Sequence, residues 1–250
     1  MSSTTGASLS PMLRKLEYRT VLSYDDRKAL LALPHALKSI ERYHYIVREG
    51  DKPTHSCLMR SGFSYRHKIV GDGARQIFSI HMSGDMVDLQ NSFLGTADHN
   101  VQALTRCDVA FIPVEAIREI AFERPAIGQA MWRDTLVDGS IYAEWAANVG
   151  RRDARTRLAH LLCQFALRLE AAGLGNHKEW ELPMTQEQLA DCTGMTSVHV
   201  NRMLMGLEKD GLINRTKRSV TVNDWKALAE VGDFQSTFLH LPEDKLTLGQ

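Results

Sequence analysis

Hydrophobic and polar positions divide the chain into three regimes. Over residues 43–113 the pattern is one of short strands, at 43–48, 57–60, 64–70, 76–82, 101–106 and 109–112. Glycine turns separate them: Gly50-Asp51, Ser61-Gly62, Gly71-Asp72-Gly73, Ser83-Gly84-Asp85 and Gly95-Thr96. Phe78, Ile80 and Met82 alternate with Ser79 and His81, the period of a half-buried strand. Regular short strands with such turns predict a small β-barrel or sandwich. Ahead of this region, 9–16 and 25–33 predict two short helices, the second opened by Asp25-Asp26 and stopped by Pro34. Residues 1–8 are rich in Ser, Thr and Gly and are expected to be disordered.

Beyond residue 113 the period becomes helical. Pro113 can open a short helix to about 122, and Pro125 opens a longer one over 126–149. That long helix carries two apolar stripes. Ile127, Met131, Tyr142, Trp145 and Val149 form one; Trp132, Leu136, Gly139, Ala143 and Ala146 form the other. One packing surface needs one stripe. The second is therefore expected to face a second subunit, with Gly139, Ala143 and Ala146 permitting close approach. Residues 150–153 are a hinge. A helix over 153–172 follows, with Leu158, Leu161, Leu162, Phe165 and Leu169 as its core side.

The stretch 182–222 carries the densest local signals. Thr185 and Gln188 make a capping box, which starts a helix over 186–191. Thr193-Gly194 supplies a tight turn. Thr196 caps a second helix to about 209, ended by Gly211. In it Val200, Met203, Leu204 and Leu207 repeat at helical spacing and predict the buried side. Ser197, Val198, His199, Asn201, Arg202 and Met205 fall on the other. Small polar and apolar groups with one Arg suit a DNA major groove: Arg pairs with guanine, Asn with adenine, and an apolar group meets the thymine methyl. Segments 212–215 and 219–222 alternate as strands, and their tip, Thr216-Lys217-Arg218, suits phosphate. The candidate DNA-binding residues are thus Thr185, Gln186, Thr196, Ser197, Val198, His199, Asn201, Arg202, Lys217 and Arg218. Asn223 is expected to cap a last short helix before an acidic tail.

Residues 185–190 (TQEQLA), 194–202 (GMTSVHVNR) and 207–213 (LEKDGLI) resemble the C-terminal domain of the Crp/Fnr family, bacterial regulators related to the cyclic-AMP receptor protein. The family motif runs Ser or Thr, often Arg, often Glu, any residue, Val, any residue, Arg. Thr196, Val200 and Arg202 match it; Ser197 and Val198 replace the usual Arg and Glu. The resemblance implies an α+β chain. Its parts are an N-terminal β-roll (cyclic-nucleotide-binding-like) sensor domain over 1–124, a dimerisation helix over 125–150, a winged helix-turn-helix over 151–222 and a C-terminal helix and tail over 223–250. It further implies a homodimer on a palindromic DNA operator, with RNA polymerase as a partner.

In the family's cyclic-nucleotide branch a segment reading roughly Gly-Glu-Leu, then some ten residues, then Arg-Ser-Ala holds the phosphate. Asp88, His99 and Asn100 stand in the corresponding stretch here and are the effector-pocket candidates. A phosphate monoanion needs a permanent bidentate cation, which His99 is not, with Arg106 as the fallback. Cyclic AMP is therefore not expected as the effector. The clustered N-terminal cysteines of the family's oxygen-sensing branch are absent before Cys57, so no iron–sulfur cofactor carries over.

Composition changes this picture little. Of 250 residues, 44% are hydrophobic, enough for a core, and Lys+Arg and Asp+Glu balance at 30 each. Residues 151–222 hold eleven basic against eight acidic residues, while 1–150 hold seventeen of each. The basic excess thus sits on the helix-turn-helix, as a phosphate footprint would. No apolar run approaches the roughly 18 residues of a membrane span and no secretory signal opens the chain, so a cytoplasmic protein is expected. Cys57, Cys107, Cys163 and Cys192 are scattered singly, Cys163 and Cys192 reading as core. A β-roll enzyme of the cupin type or a ligand carrier, whose C-terminal domain binds a protein, is the competing reading. It would want a His-x-His pair, and His44, His55, His67, His81 and His99 are isolated. No cofactor, metal site or catalytic motif is assigned.

Overall fold

The computed structural model describes residues 8–242. The expected disorder of 1–8 and the end of the acidic tail fall outside these residues, apart from Ser8, which is buried. The chain forms two compact units, one of residues 8–68 and 79–138, the other of residues 69–78 and 139–242.

Helices α1 (Ser10–Glu17) and α2 (Tyr24–Leu31) precede a roll of seven strands, all in the first unit except residues 69–78, at the end of β4 and the start of β5. The strands are β1 (Ala36–Ile40), β2 (Tyr45–Val47), β3 (His55–Ser61), β4 (Ser64–Ile69), β5 (Arg75–His81), β6 (Asn100–Ala103) and β7 (Cys107–Pro113). They form two sheets, in the orders β1-β7-β3 and β2-β6-β4-β5. A short helix, α3 (Asn91–Leu94), interrupts the strands; α4 (Val114–Glu123) follows them. Ser23 caps α2 in a capping box with Asp26, which places the helix start ahead of the Asp25-Asp26 pair. Two elements were not legible beforehand. Strand β1 is almost wholly exposed, so it shows no alternation, and only its pairing with β7, Ala36 opposite Phe111 to Ile40 opposite Cys107, makes it a strand. Helix α3 is a single turn closed by Gly95 at φ 78°.

One apolar core joins Leu9, ahead of α1, and Met12 and Leu16 of α1 to Leu58, Ile112, Ile117, Ile127 and Met131. Beside it lies a polar cluster. Lys15 Nζ is 2.8 Å from Asp85 and 2.9 Å from Asp134, with Arg19 3.7 Å from Asp134. Burial opposes the charge on Lys15, but the carboxylates of Asp134 and Asp85 outweigh it and raise the pKa. The ammonium thus holds α1 against the long helix α5 (Pro125–Arg151).

Besides residues 69–78, the second unit takes α5 from Gly139 onward and continues with α6 (Ala154–Ala171), α7 (Gln186–Thr193), α8 (Ser197–Lys209) and α9 (Trp225–Val231). A three-stranded sheet runs in the order β8 (Glu179–Glu181), β10 (Ser219–Val222), β9 (Ile213–Thr216). Strand β8 was not foreseen: three residues are too few to show a period, and Val220 opposite Trp180 supplies the pairing. The cap of α9 is Asp224, whose side chain accepts from Ala227 N–H. Asn223, the expected cap, instead donates to the Gly211 carbonyl. The expected core stripe of α6 is buried in full.

Candidate nucleic-acid interface

Thr185 and Gln188 build the start of α7. Gln188 N–H donates to Thr185 Oγ1 at 3.2 Å, and Thr185 N–H donates to Gln188 Oε1 at 2.9 Å. The helix runs two residues further than its pattern predicted, through Thr193, whose hydroxyl bonds back to the Leu189 carbonyl. Gly194, at φ 63°, then closes it; a left-handed residue costs glycine nothing. Thr196 accepts from His199 N–H and starts α8. Val200, Leu204 and Leu207 are buried, and Met203 is half-buried. That stripe fixes which side of α8 remains outside.

The outward side carries Ser197, Val198, Arg202 and Met205, with Asn201 and His199 half-buried. Val198 is 70% exposed and Met205 58%. A bond absent from any local pattern joins the two helices here: Gln186 Nε2 donates to Asn201 Oδ1 at 2.8 Å. The pair holds both amides on one face. Arg155 bonds Asp210 at 2.5 Å, and Arg157 donates to the Thr193 carbonyl at 2.7 Å, so α6 grips both helix ends.

Strands β9 and β10 form the wing, with Thr216 opposite Ser219. Lys217, at φ 56°, and Arg218 make its tip and are exposed. Arg215 points the other way, to Glu208 at 2.7 Å, and ties the wing to α8. Between the wing and the start of α7 lies a cleft of about 240 Å³ lined by Thr185, Gln186, Lys217 and Arg218 among others. Helix N-termini present unpaired N–H groups and the positive end of the macrodipole. With Lys217 and Arg218 beside it, the cleft is chemically suited to a phosphate. Cys192, in α7, is buried, and burial pushes its thiol up, away from the reactive thiolate form.

Each effector-pocket candidate is bonded within its own chain, and Asp88 and His99 both feel the charge of Arg66. Asp88 is 0% exposed. Its Oδ1 accepts from Cys57 N–H at 2.7 Å and Ser56 Oγ at 3.1 Å. Burial pushes its carboxyl up to about 6, against the pull of those hydrogen bonds and of Arg66. His99 is buried with Nδ1 2.5 Å from Asp98; burial, and then the Arg66 charge, lower its pKa to about 4. Asn100 accepts from Glu49 N–H at 3.1 Å. The fallback cation, Arg106, is 70% exposed and faces Glu41, so it does not reach the interior. Arg66 is a buried cation of the roll, and its Nη2 donates to the Val87 carbonyl at 2.6 Å. Its place inside depends on β4 packing in the roll.

On α5 the two stripes separate cleanly. Ile127, Met131 and Trp145 are buried and Tyr142 and Val149 half-buried; Trp132, Leu136, Gly139, Ala143 and Ala146 are exposed. Among the described residues no helix is long and apolar enough to cross a membrane, and no group of three or more His, Cys, Asp or Glu side chains could hold a metal ion.

Residues 156–231 match the profile of the Crp-like helix-turn-helix domain, and residues 37–124 that of the cyclic nucleotide-binding domain. The transcriptional activator protein FnrL of Cereibacter sphaeroides is 28% identical over 225 residues, spanning 87% of this chain and 90% of that protein. The fumarate and nitrate reduction regulatory protein of Escherichia coli is 26% identical over 196 residues, 78% of this chain and 77% of the relative. Among solved structures, FixK2 from Bradyrhizobium japonicum superposes with a TM-score of 0.72 at 20% identity, covering 80% of this chain and 98% of that one. At that identity the likeness is one of fold.

Proposed function

The chain belongs to the Crp/Fnr family of transcription regulators, and on that premise we propose that it binds a palindromic operator as a homodimer. The observation that carries this reading is the outward side of α8, flanked by the basic wing tip. Arg202, Asn201, Val198 and Ser197 read base edges in the major groove. Thr185, Gln186, Lys217 and Arg218 hold phosphate, which positions the helix without carrying sequence information. Thr196 and His199 set the helix start against the backbone. The exposed stripe Trp132, Leu136, Gly139, Ala143 and Ala146 of α5 packs against the same stripe of a second copy. A two-fold protein offers two recognition helices about 34–36 Å apart, one turn of DNA.

The protein works as a regulator rather than an enzyme, in the cytoplasm where the chromosome lies, and contacts RNA polymerase from the operator. The segment over 84–101 does not bind cyclic AMP, because Asp88, His99 and Asn100 are engaged by their own chain. The domain boundaries at 124, 150 and 222 then separate sensor, dimer helix, DNA-binding domain and C-terminal tail. Selection of binding sites from random DNA with the purified protein tests the whole reading. A two-fold symmetric motif is the expected product. Recovery of asymmetric sites, or of no enriched motif at low salt, would refute it.

A further inference from the structure

Residues 232–240 lie beyond the segment that matches the helix-turn-helix profile, which ends at 231. They do not extend away from the second unit but run back across it. Gly232 comes so close to α6 that a Cβ there would sit 2.9 Å from His160 N. His160 is buried, and its Nδ1 lies 3.1 Å from the Gly232 carbonyl. Phe234 meets the His160 ring edge-on at 5.1 Å, and Phe238 stacks on it at 5.8 Å. Leu239 is buried at the end of the run.

The same residues reach the C-terminal half of α5 and the residue that follows it. Asp233 takes Arg152 twice, through its carboxylate at 3.1 Å and its carbonyl at 3.2 Å. Arg152 in turn reaches Glu144 at 2.7 Å. His240 lies 3.3 Å from Ser140 Oγ. Asp233 and His240 adopt positive φ, 44° and 47°, an uncommon state for such residues that surrounding contacts must hold in place. The segment thus bridges Ser140, ahead of the break between α5 and α6, and His160, beyond it. Trp145 to the Cys192 carbonyl and Asn148 to the Arg157 carbonyl cross the same break nearer its pivot. A tie far from a pivot resists rotation better than one close to it, so the segment adds angular restraint that the inner bonds do not.

We propose that residues 232–240 are a positioning strap that holds the winged domain at one angle to the long helix and so sets the half-site spacing the dimer accepts. The inference rests on the operator-binding reading above. Successive base pairs of B-DNA are 3.4 Å and about a tenth of a turn apart, so a rigid pair of recognition helices fits one spacing and a loosened pair fits several.

The test uses the full chain, an operator from the selection, and copies with the half-sites moved by one or two base pairs in either direction. The wild type is expected to lose about tenfold or more in affinity per misplaced base pair, since a rigid pair must then twist the DNA or abandon a half-site. Phe238→Ala and Asp233→Ala, with a truncation after Val231, are expected to cut that loss to a few-fold while leaving affinity for a single half-site unchanged. Asp233→Glu should restore part of the discrimination. Equal spacing discrimination in wild type and variants would overturn the strap. Hydrogen exchange across residues 150–156 gives a readout that needs no DNA. Faster exchange in the variants supports the strap, and unchanged exchange overturns it. A wild type that binds no DNA, with faster hinge exchange in the variants, would refute the operator reading alone.

Discussion

Replacing Asp88 by Asn tests whether this carboxyl serves the fold rather than a ligand. Its side chain is fully buried, and its Oδ1 accepts from both Cys57 N–H and Ser56 Oγ. Burial raises its pKa from 3.8 to about 6. The folded chain therefore keeps the proton over a range in which the unfolded chain has lost it. Stability must fall as pH rises through that window, and the loss is complete above about 6. A shift of about 2 units at roughly 1.4 kcal/mol each gives a total near 3 kcal/mol. Linkage puts about 2 kcal/mol of it between roughly pH 4.5 and pH 7.5, the remainder lying lower. Asn keeps an oxygen for Cys57 and Ser56 but cannot ionise. Asp88→Asn should therefore abolish this part of the pH dependence, gaining about 2 kcal/mol on the wild type between the two pH values. A chain of two units need not unfold in one step, so the assay is urea-dependent hydrogen exchange read on a β3 peptide, at both pH values. Parallel pH profiles for variant and wild type would refute the reasoning, since Asp88 would then titrate alike in the folded and unfolded chains.

Three further outcomes follow from the geometry. Arg202→Ala should cost about 1–3 kcal/mol on the selected operator and relax one base position, whereas Lys217→Ala should weaken all sequences alike and lower the salt slope by about one; titrations at several salt concentrations separate the two. Leu136→Asp places a charge on the exposed stripe of α5 and should shift sedimentation at micromolar concentration from dimer to monomer, while the same change at exposed Leu37 of β1 should not. Calorimetry with cyclic AMP and cyclic GMP should show no saturable heat, because His99 is neutral with a pKa held near 4 and Arg66 is bonded to Val87; micromolar binding of either nucleotide would sink this account of the roll.

What was legible in the chain was what neighbours within a few residues decide. The Thr185 and Gln188 caps, the Gly194 turn and the stripe Val200, Leu204, Leu207 all act over three to seven positions, so the helix-turn-helix could be built from local chemistry alone. The two stripes of α5 were visible for the same reason. Tertiary structure decided everything that depends on a partner far along the chain. Strand β1 is almost wholly exposed, shows no alternation of apolar and polar positions, and exists through β7, about seventy residues on. Asp88 meets Cys57 thirty-one positions back, and Gln186 meets Asn201 across a turn. Arg152 finds Asp233 eighty-one positions later. In each case the side chain's own type allows several roles, such as ligand contact, surface charge or structural bond. Only burial and the distance to a specific partner, which no periodicity encodes, choose among them.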